Sequence, residues 1–553
     1  MEGQSISPDD VRAGEARGDV INSYDALPYS VSAFPQTRPD HLAAIGRLFG
    51  LNPPRPDGCR VLELGCAAGG NLLPMAAASP GSRFVGIELS HRQAADGQAA
   101  AREMGLNNID IRGMSILDVT PELGEFDYIL AHGVYSWVPP AVQEKILDIC
   151  RRNLSTSGIA YISYNTYPGW HARGAVREML WYHTQRYADP VERTREARLF
   201  LEFLAGSPLE PGDGYSTLLR QEMALLQAVP DSYLLHEHLD DFNDPLYFHQ
   251  FAERAADHGL QYLAEAHVGS MMVSRFGPAV EAKLREIAPD LLQMEQYMDF
   301  VRNRMFRQTL LCHAGLELDH ALRPEAVRGF YIASALKPVS SSPDLGVGKA
   351  EAFGEGTVTL STADPLMKAA MLHLAAKWPL PVSFDALVAA AGARFSSPAG
   401  DPASHDKAGP PTSDDIQALA VRLLNCHASS LVEFSVAPPA FITHVSERPI
   451  ASPYARLRAR AGELVTNARL ETITMGEPSR LVLCSLDGRH DRESLIGIIG
   501  DWLAARPAPP NTTAATGGAA PTTGNNPRTH TDRATRFVGE VLQGFAESAL
   551  LIE

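Results

Sequence analysis

Val61-Leu62-Glu63-Leu64-Gly65-Cys66-Ala67-Ala68-Gly69-Gly70-Asn71 is a short apolar run that ends in a glycine-rich turn. Residues 59–64 read as a strand and 71–78 as a helix, so the glycines mark a strand-to-helix handover. A bend this sharp needs residues without a bulky Cβ, and Gly65 and Gly69 let the backbone lie against a ligand at the carboxyl edge of a sheet. Gly65, Ala67 and Gly70 fill the slots of a dinucleotide fingerprint, but the middle glycine is the one that admits a pyrophosphate, and alanine in its place weakens that reading. Glu63, two residues before the first glycine, can instead orient the turn amides and a ligand ammonium. Glu88 closes the next apolar run, 83–89, where a carboxylate accepts two hydrogen bonds from ribose hydroxyls.

Working outward, apolar runs at 109–113, 128–131 and 159–164 alternate with helical or turn-rich sequence, the rhythm of a mostly parallel, doubly wound α/β sheet. After Trp170 the pattern changes. Residues 172–187, 191–204 and 218–228 carry helical periodicity without intervening strands and read as a helical insertion. Strand candidates at 261–264 and 306–313, separated by helical sequence over 278–304, form an expected antiparallel pair completing the sheet near residue 316. The expected division is therefore a sheet core over 1–170, a helical insertion over 171–260, the last strands over 261–316 and a C-terminal unit over 317–553. In that unit 365–378, 383–393 and 414–429 read as helices, with a β-hairpin at 431–436 and 441–445, an order compatible with a winged-helix-like α+β region. Stretches 396–412 and 507–531 are rich in Pro, Gly, Thr and Ala and are expected to be flexible loops.

The third strand leads into Gly113-Met114-Ser115-Ile116-Leu117-Asp118, which places either the Ser115 hydroxyl with the Ile116 amide or the Asp118 carboxylate as the polar contact at that strand end. The fourth opens into His132-Gly133-Val134-Tyr135-Ser136-Trp137-Val138-Pro139. His132 reads as a base, as a backbone contact or as a packed imidazole, and Tyr135 and Trp137 as an aromatic wall or as ordinary core. His236 and His238 stand two apart, which on a helix points them to different sides, so no metal is expected.

The chain has 553 residues, enough for roughly two to four domains. Its 48 Lys+Arg against 65 Asp+Glu leave a formal charge of -17. That field repels phosphate backbones, so no nucleic acid is expected and a basic partner is favoured; the run Arg456–Arg460 reads as a solvated helix face. The six cysteines form no C-x-x-C pair, which argues for reduced thiols in a cytosol rather than a disulfide framework. The first twenty residues carry no secretory signal pattern, and no stretch reaches a spanning length of apolar residues, so neither export nor membrane insertion is expected.

The segments Tyr24–Tyr29, Phe34–Asp40, Glu63–Asn71, His132–Pro139 and Tyr164-Asn165-Thr166-Tyr167-Pro168-Gly169-Trp170 together resemble bacterial class I methyltransferases that carry a methyltransferase regulatory domain. Residues 218–266, with Asn243-Asp244-Pro245-Leu246-Tyr247-Phe248, resemble the regulatory domain itself. The whole is similar to rickettsial-type protein-lysine methyltransferases of outer-membrane proteins. The resemblance implies a Rossmann-like class I sheet with a helical insertion and a winged-helix-like end, S-adenosyl-L-methionine as cofactor, a protein substrate and a homodimer. An acid before the first glycine, here Glu63, is the habit of that family. Expected cofactor contacts are Glu63, Gly65, Cys66, Gly69, Asn71, Glu88, Leu89, Ser115, Ile116 and His132. The expected catalytic residues are Tyr135, Trp137 and Asn165.

The implied chemistry is in-line displacement of a sulfonium methyl by a nitrogen, for which the enzyme mainly supplies alignment and a dry pocket. A lysine amine, with a reference pKa of ~10.4, needs about 4–5 kcal/mol to lose its proton at pH 7 unless the site shifts that value. Aromatic walls from Tyr135, Trp137, Tyr164 and Trp170, with Asn165 as hydrogen-bond acceptor, suit that task without a dedicated base. Two other readings stand beside it: a small-molecule N- or O-methyltransferase with the insertion as a lid, and a non-catalytic cofactor-sensing interaction protein.

Overall fold

Alternate residues of the buried strands feed two different cores. Val61, Tyr128, Leu130, Ile159 and Tyr161 lie in one cluster, while Leu62, Leu64, Ile129, Ala131 and Ile162 lie in the other. A strand covered on both faces reads as a continuous apolar run, which is why these segments lack polar alternation. The structure is a computed structural model that describes residues 32–207, 213–396, 410–506 and 527–553. The Tyr24–Tyr29 segment and most of the 396–412 and 507–531 stretches lie outside the described residues; from Pro527 onward the second of these is helix, Pro527–Glu547, rather than loop.

The strands of the main sheet are β1 (Arg60–Leu64), β2 (Arg83–Glu88), β3 (Ile109–Gly113), β4 (Phe126–Ala131), β5 (Leu154–Asn165), β6 (Leu260–Glu265) and β7 (Phe306–His313). Their order is β3-β2-β1-β4-β5-β7-β6. Strands β1 to β5 pair in parallel, and β7 runs antiparallel to both β5 and β6. The order reverses beside β1, so the turn after β1 sits at the switch point of the sheet.

Helices α1 (Pro39–Leu48), α2 (Leu72–Ala78), α3 (His91–Glu103) and α4 (Pro140–Asn153) accompany the parallel strands. The insertion comprises α5 (Gly169–Thr184), α6 (Pro190–Gly206), α7 (Gly214–Ala228) and α8 (Asp231–His238), and α9 (Phe248–Asp257) leads into β6. Between β6 and β7 lie α10 (Pro278–Ile287) and α11 (Leu291–Arg302). Local chemistry sets these ends: the Ser90 and Asp189 side chains accept N–H bonds at the starts of α3 and α6, and Asn303 closes α11 in the left-handed conformation. The insertion has its own core of Val176, Leu180, Ala197, Leu201, Leu219 and Leu226.

The C-terminal 317–553 stretch holds two cores rather than one. Phe330, Ile332, Met371, Leu387, Leu423 and Phe434 belong to the same cluster as one face of the main sheet, whereas Val465, Leu483, Leu495, Val538, Leu542 and Leu551 form a separate one. The expected hairpin is absent: Glu433–Ser435 pairs with Tyr331–Ala333, and residues 441–445 contain no strand. A strand partner a hundred residues away leaves no local turn signal, which is why the nearer apolar run was the only pairing visible in the sequence.

Candidate active site

The turn after β1 is built by two left-handed glycines. Gly65 has φ +71°, and a Cβ there would meet Val134 Cγ2 at 2.5 Å; Gly69 has φ +75°, and its Cβ would meet Ile111 Cδ1 at 2.7 Å. Ala67 between them also takes a positive φ, +49°. Its N–H donates to Glu88 Oε2 at 2.8 Å, while Ser90 N–H donates to Glu88 Oε1 at 2.8 Å. One carboxylate thus ties the ends of β1 and β2 together across the crevice.

Glu63 lies beneath the turn and is only 4% exposed. Its Oε1 accepts the Asn71 Nδ2 at 2.9 Å, and its Oε2 is buried with no hydrogen-bond partner among the described residues. Burial, with the Glu88 charge adding and the Asn71 bond opposing, pushes this carboxyl up to about 7. An orphaned, buried carboxylate oxygen calls for a cationic donor. Asn71 extends the network outward, because its Oδ1 accepts the Phe34 N–H at 3.0 Å and its Nδ2 donates to Thr37 Oγ1 at 3.0 Å. The segment before α1 is thereby strapped over the turn.

Cys66 is buried and its thiol is pushed up by that burial, so it stays protonated and inert. Leu89 is 44% exposed at the end of β2. Ser115 caps a short helical turn, its Oγ accepting the Leu117 N–H at 3.2 Å, with Ile116 half-buried beside it. These positions surround the carboxyl ends of β1, β2 and β3.

Past β4, His132 is fixed by a 2.8 Å hydrogen bond between Nδ1 and the Tyr161 hydroxyl. Its ring lies 3.8 Å from the Phe34 ring and stands edge-on to Phe306 at 6.2 Å. Burial pushes its pKa down to about 4, so it is neutral at pH 7 and a poor proton acceptor. Of the expected aromatic wall, Tyr135 is 0% exposed, packed edge-on against Phe251 at 5.3 Å and against Tyr164 at 6.2 Å, and burial pushes its hydroxyl up to about 12. Tyr164 stacks on Phe251 at 4.1 Å, and Trp170 is nearly fully buried. Tyr135, Tyr164 and Trp170 are therefore buried in packing rather than lining an open wall, with Phe251 of α9 against the first two. Trp137 is half-buried and meets Trp170 edge-on at 6.1 Å.

Two aromatic residues at the mouth were missed in the sequence. Phe34 comes from the strap, and Phe306, 40% exposed, from the start of β7 opposite Asn165. Asn165 ends β5, 4% exposed, with its Nδ2 donating to Asn243 Oδ1 at 2.9 Å and its backbone N–H to Ser136 Oγ at 2.9 Å. Behind β7, Arg307 is fully buried over the Phe248 ring, bonded to Glu265 at 2.7 Å, Asp299 at 2.8 Å and Glu295 at 3.1 Å. Burial among these acids holds Glu295 at about 7. Among the described residues no group of three or more His, Cys, Asp or Glu is arranged to hold a metal.

Family models match three parts of the chain: a methyltransferase domain over 61–158, a predicted methyltransferase regulatory domain over 230–313, and the PKMT C-terminal winged helix domain over 447–550. The last lies beyond the 365–445 stretch on which the helix and hairpin pattern had placed it. An uncharacterized protein of Rickettsia prowazekii is 34% identical over 490 residues, covering 86% of this chain and 85% of that one. A second from the same organism is 41% identical over 233 residues, 42% of this chain and 93% of its own. The structure of PKMT2 from Rickettsia typhi in complex with AdoHcy superposes with a TM-score of 0.81 at 30% identity, over 95% of this chain and 100% of that one. The chain belongs to the PKMT family of class I S-adenosylmethionine-dependent methyltransferases. In this PKMT-family enzyme the orphaned Glu63 oxygen fits the ammonium of the cofactor. The Arg456–Arg460 run falls inside the winged-helix match, where Arg460 pairs with Glu103 of α3 at 2.7 Å. Beside it Tyr454 packs against Leu73 and Ala101. The run is a seam between the winged-helix part and the methyltransferase sheet.

Proposed function

We propose that this methyltransferase transfers methyl groups to lysine side chains of a protein. The observation that carries this reading is Asn165, whose side-chain Oδ1 accepts no hydrogen bond among the described residues and ends β5 beside the exposed ring of Phe306. An amide oxygen in an apolar mouth accepts one N–H of a neutral amine and leaves its lone pair in line for attack.

Glu63 and the turn amides hold the methionine end of the cofactor, Glu88 the ribose hydroxyls, and Leu89, Ser115 and Ile116 the adenine. A carboxylate accepts several bonds, so ribose hydroxyls add to the two amides already on Glu88. The bound cofactor supplies an electrophilic methyl; as the nitrogen bonds to it the carbon–sulfur bond breaks, and the proton shed by the amine passes to water. With His132 held neutral and locked on Tyr161, desolvation by Phe34, Phe306 and Trp137 lowers the amine's pKa in place of a base. The net charge of -17 favours a lysine-bearing partner.

The fuller reading is a cytosolic homodimer acting on unfolded outer-membrane or surface proteins. Six cysteines without a disulfide among them fit a reducing compartment, and among the described residues no helix is long and apolar enough to cross a membrane. Incubation with methyl-labelled cofactor and bacterial lysate, followed by acid hydrolysis of the protein fraction, tests it. Methyl-lysines in the hydrolysate are expected. Label confined to solvent-extractable material refutes the protein substrate, and label on another residue refutes lysine.

A further inference from the structure

The amide of Asn165 is symmetric in shape, and nothing in the side chain itself decides whether its oxygen or its nitrogen faces the acceptor. Its side-chain partner comes from outside the methyltransferase core. Asn243 belongs to the segment between α8 and α9, inside the regulatory-domain match. This segment is stitched to the sheet at several points. Asp244 N–H donates to the Ser136 carbonyl at 2.8 Å, Leu246 N–H to the Asn165 carbonyl at 3.2 Å, and Tyr167 N–H to the Leu246 carbonyl at 3.1 Å. Thr166 Oγ1 adds a 2.6 Å bond to the Leu246 carbonyl, and Gln143 holds the Asp244 carboxylate at 3.2 Å. Seated in this clamp, Asn243 Oδ1 takes the Asn165 Nδ2 at 2.9 Å.

We infer that Asn243 is a positioning residue: by accepting from Asn165 Nδ2 it turns Asn165 Oδ1 toward the incoming amine, so the regulatory segment completes the acceptor side of the site. An amide oxygen offered to an amine N–H points the nitrogen lone pair at the methyl group, whereas an amide nitrogen in that place would compete for the lone pair itself. The inference rests on the proposed role of Asn165. It also makes a directional claim, because the two amides joined the other way round, with Asn243 donating, would present the Asn165 nitrogen to the site.

An aspartate at 243 can only accept at neutral pH and so permits only the first arrangement. The test compares Asn165→Ala, Asn243→Ala and Asn243→Asp in the full chain, with heat-unfolded bacterial lysate protein and methyl-labelled cofactor at saturation. Cofactor affinity by calorimetry and thermal unfolding are measured alongside. Asn165→Ala and Asn243→Ala are each expected to slow labelling about tenfold or more, with cofactor affinity unchanged. Asn243→Asp is expected to recover most of the rate lost in Asn243→Ala, at a similar unfolding temperature. If Asn165→Ala labels at full rate, the role of Asn165 falls and this inference with it. If Asn165→Ala is slow but Asn243→Ala is not, or if Asn243→Asp is as slow as Asn243→Ala, only the positioning role is overturned.

Discussion

Replacing Glu63 with glutamine should make the ligand-free protein more stable while weakening its grip on the cofactor. The carboxyl is held at about 7 against an ordinary 4.5, chiefly by burial. Below pH 4.5 it is protonated in both folded and unfolded chains, and its burial then has no ionic cost. Between pH 4.5 and about 7 the unfolded carboxyl ionises while the folded one, with no partner for Oε2, keeps its proton. By linkage the ligand-free fold loses about 3 kcal/mol across that window and no more above it. Asn71 and Glu88 are the groups facing it, and the nearby Cys66 thiol, pushed up by burial, keeps its proton throughout.

A cofactor ammonium against Oε2 reverses the balance, because the complex needs the ionised form. Affinity should therefore rise with pH, by about tenfold between roughly pH 6 and 7.5, with close to one proton released per cofactor bound near pH 6. Calorimetry in buffers of different ionisation enthalpy counts that proton directly. Glu63→Gln should abolish the pH dependence, weaken binding near pH 7.5, and raise the unfolding temperature of the ligand-free protein near pH 8. A wild-type affinity that stays flat across this range with no proton release would refute the reasoning, as would a glutamine variant that binds as tightly as the parent.

Glu88→Ala should weaken cofactor binding by about 1.5–3 kcal/mol, the worth of hydrogen bonds to a charged acceptor. It should also lower the unfolding temperature, since the Ala67 and Ser90 amides lose their acceptor; unchanged affinity by calorimetry removes Glu88 from the site. Tyr135→Phe should label lysate protein at the parental rate, because that ring is enclosed by Phe251 and Tyr164, while Trp137→Ala should slow transfer more than it weakens cofactor binding. A slow Tyr135→Phe would place the acceptor on the other side of the sheet end. Arg307→Met should reduce stability in denaturant titrations by about 3–5 kcal/mol, because it leaves Glu265, Glu295 and Asp299 buried without their shared cation. A loss under about 1 kcal/mol would show that those acids are neutral in the fold.

The sheet was legible because its signal is local: each strand is a short apolar run, and Gly65 and Gly69 are glycines for a conformational reason that spacing reveals. Glu63 was legible for the same reason, two residues from the turn it serves. What escaped was set by distant chain. Whether Tyr135 faces the acceptor or the core depends on Phe251 of α9, more than a hundred residues on. The strand at Glu433–Ser435 looked like half of a hairpin because its true partner, Tyr331–Ala333, lies beyond any turn signal. Phe306 and the Arg307 network gave no warning, since an arginine between Phe306 and Gln308 reads as an exposed strand residue until the acids of α11 and β6 close over it.

The turn after β1 is consequently not held by the methyltransferase sheet alone. Asn71, which supports Glu63, is bonded to Phe34 and Thr37, and one residue further on Arg38 donates to the Arg469 carbonyl at 3.3 Å. Arg469 stands inside the winged-helix match and pairs with Glu433 at 2.6 Å. On the other side of the turn, Tyr454 and Arg460 of the same match rest on α2 and α3, the two helices that follow β1 and β2. The winged-helix part therefore grips both the strap that holds Asn71 and the helices that frame the glycine turn. The strap is held to Asn71 by single side-chain bonds, whereas the strands are tied by continuous ladders. In a class I sheet the chemistry sits at the strand ends, and here the strap over that edge is reached from the far end of the chain.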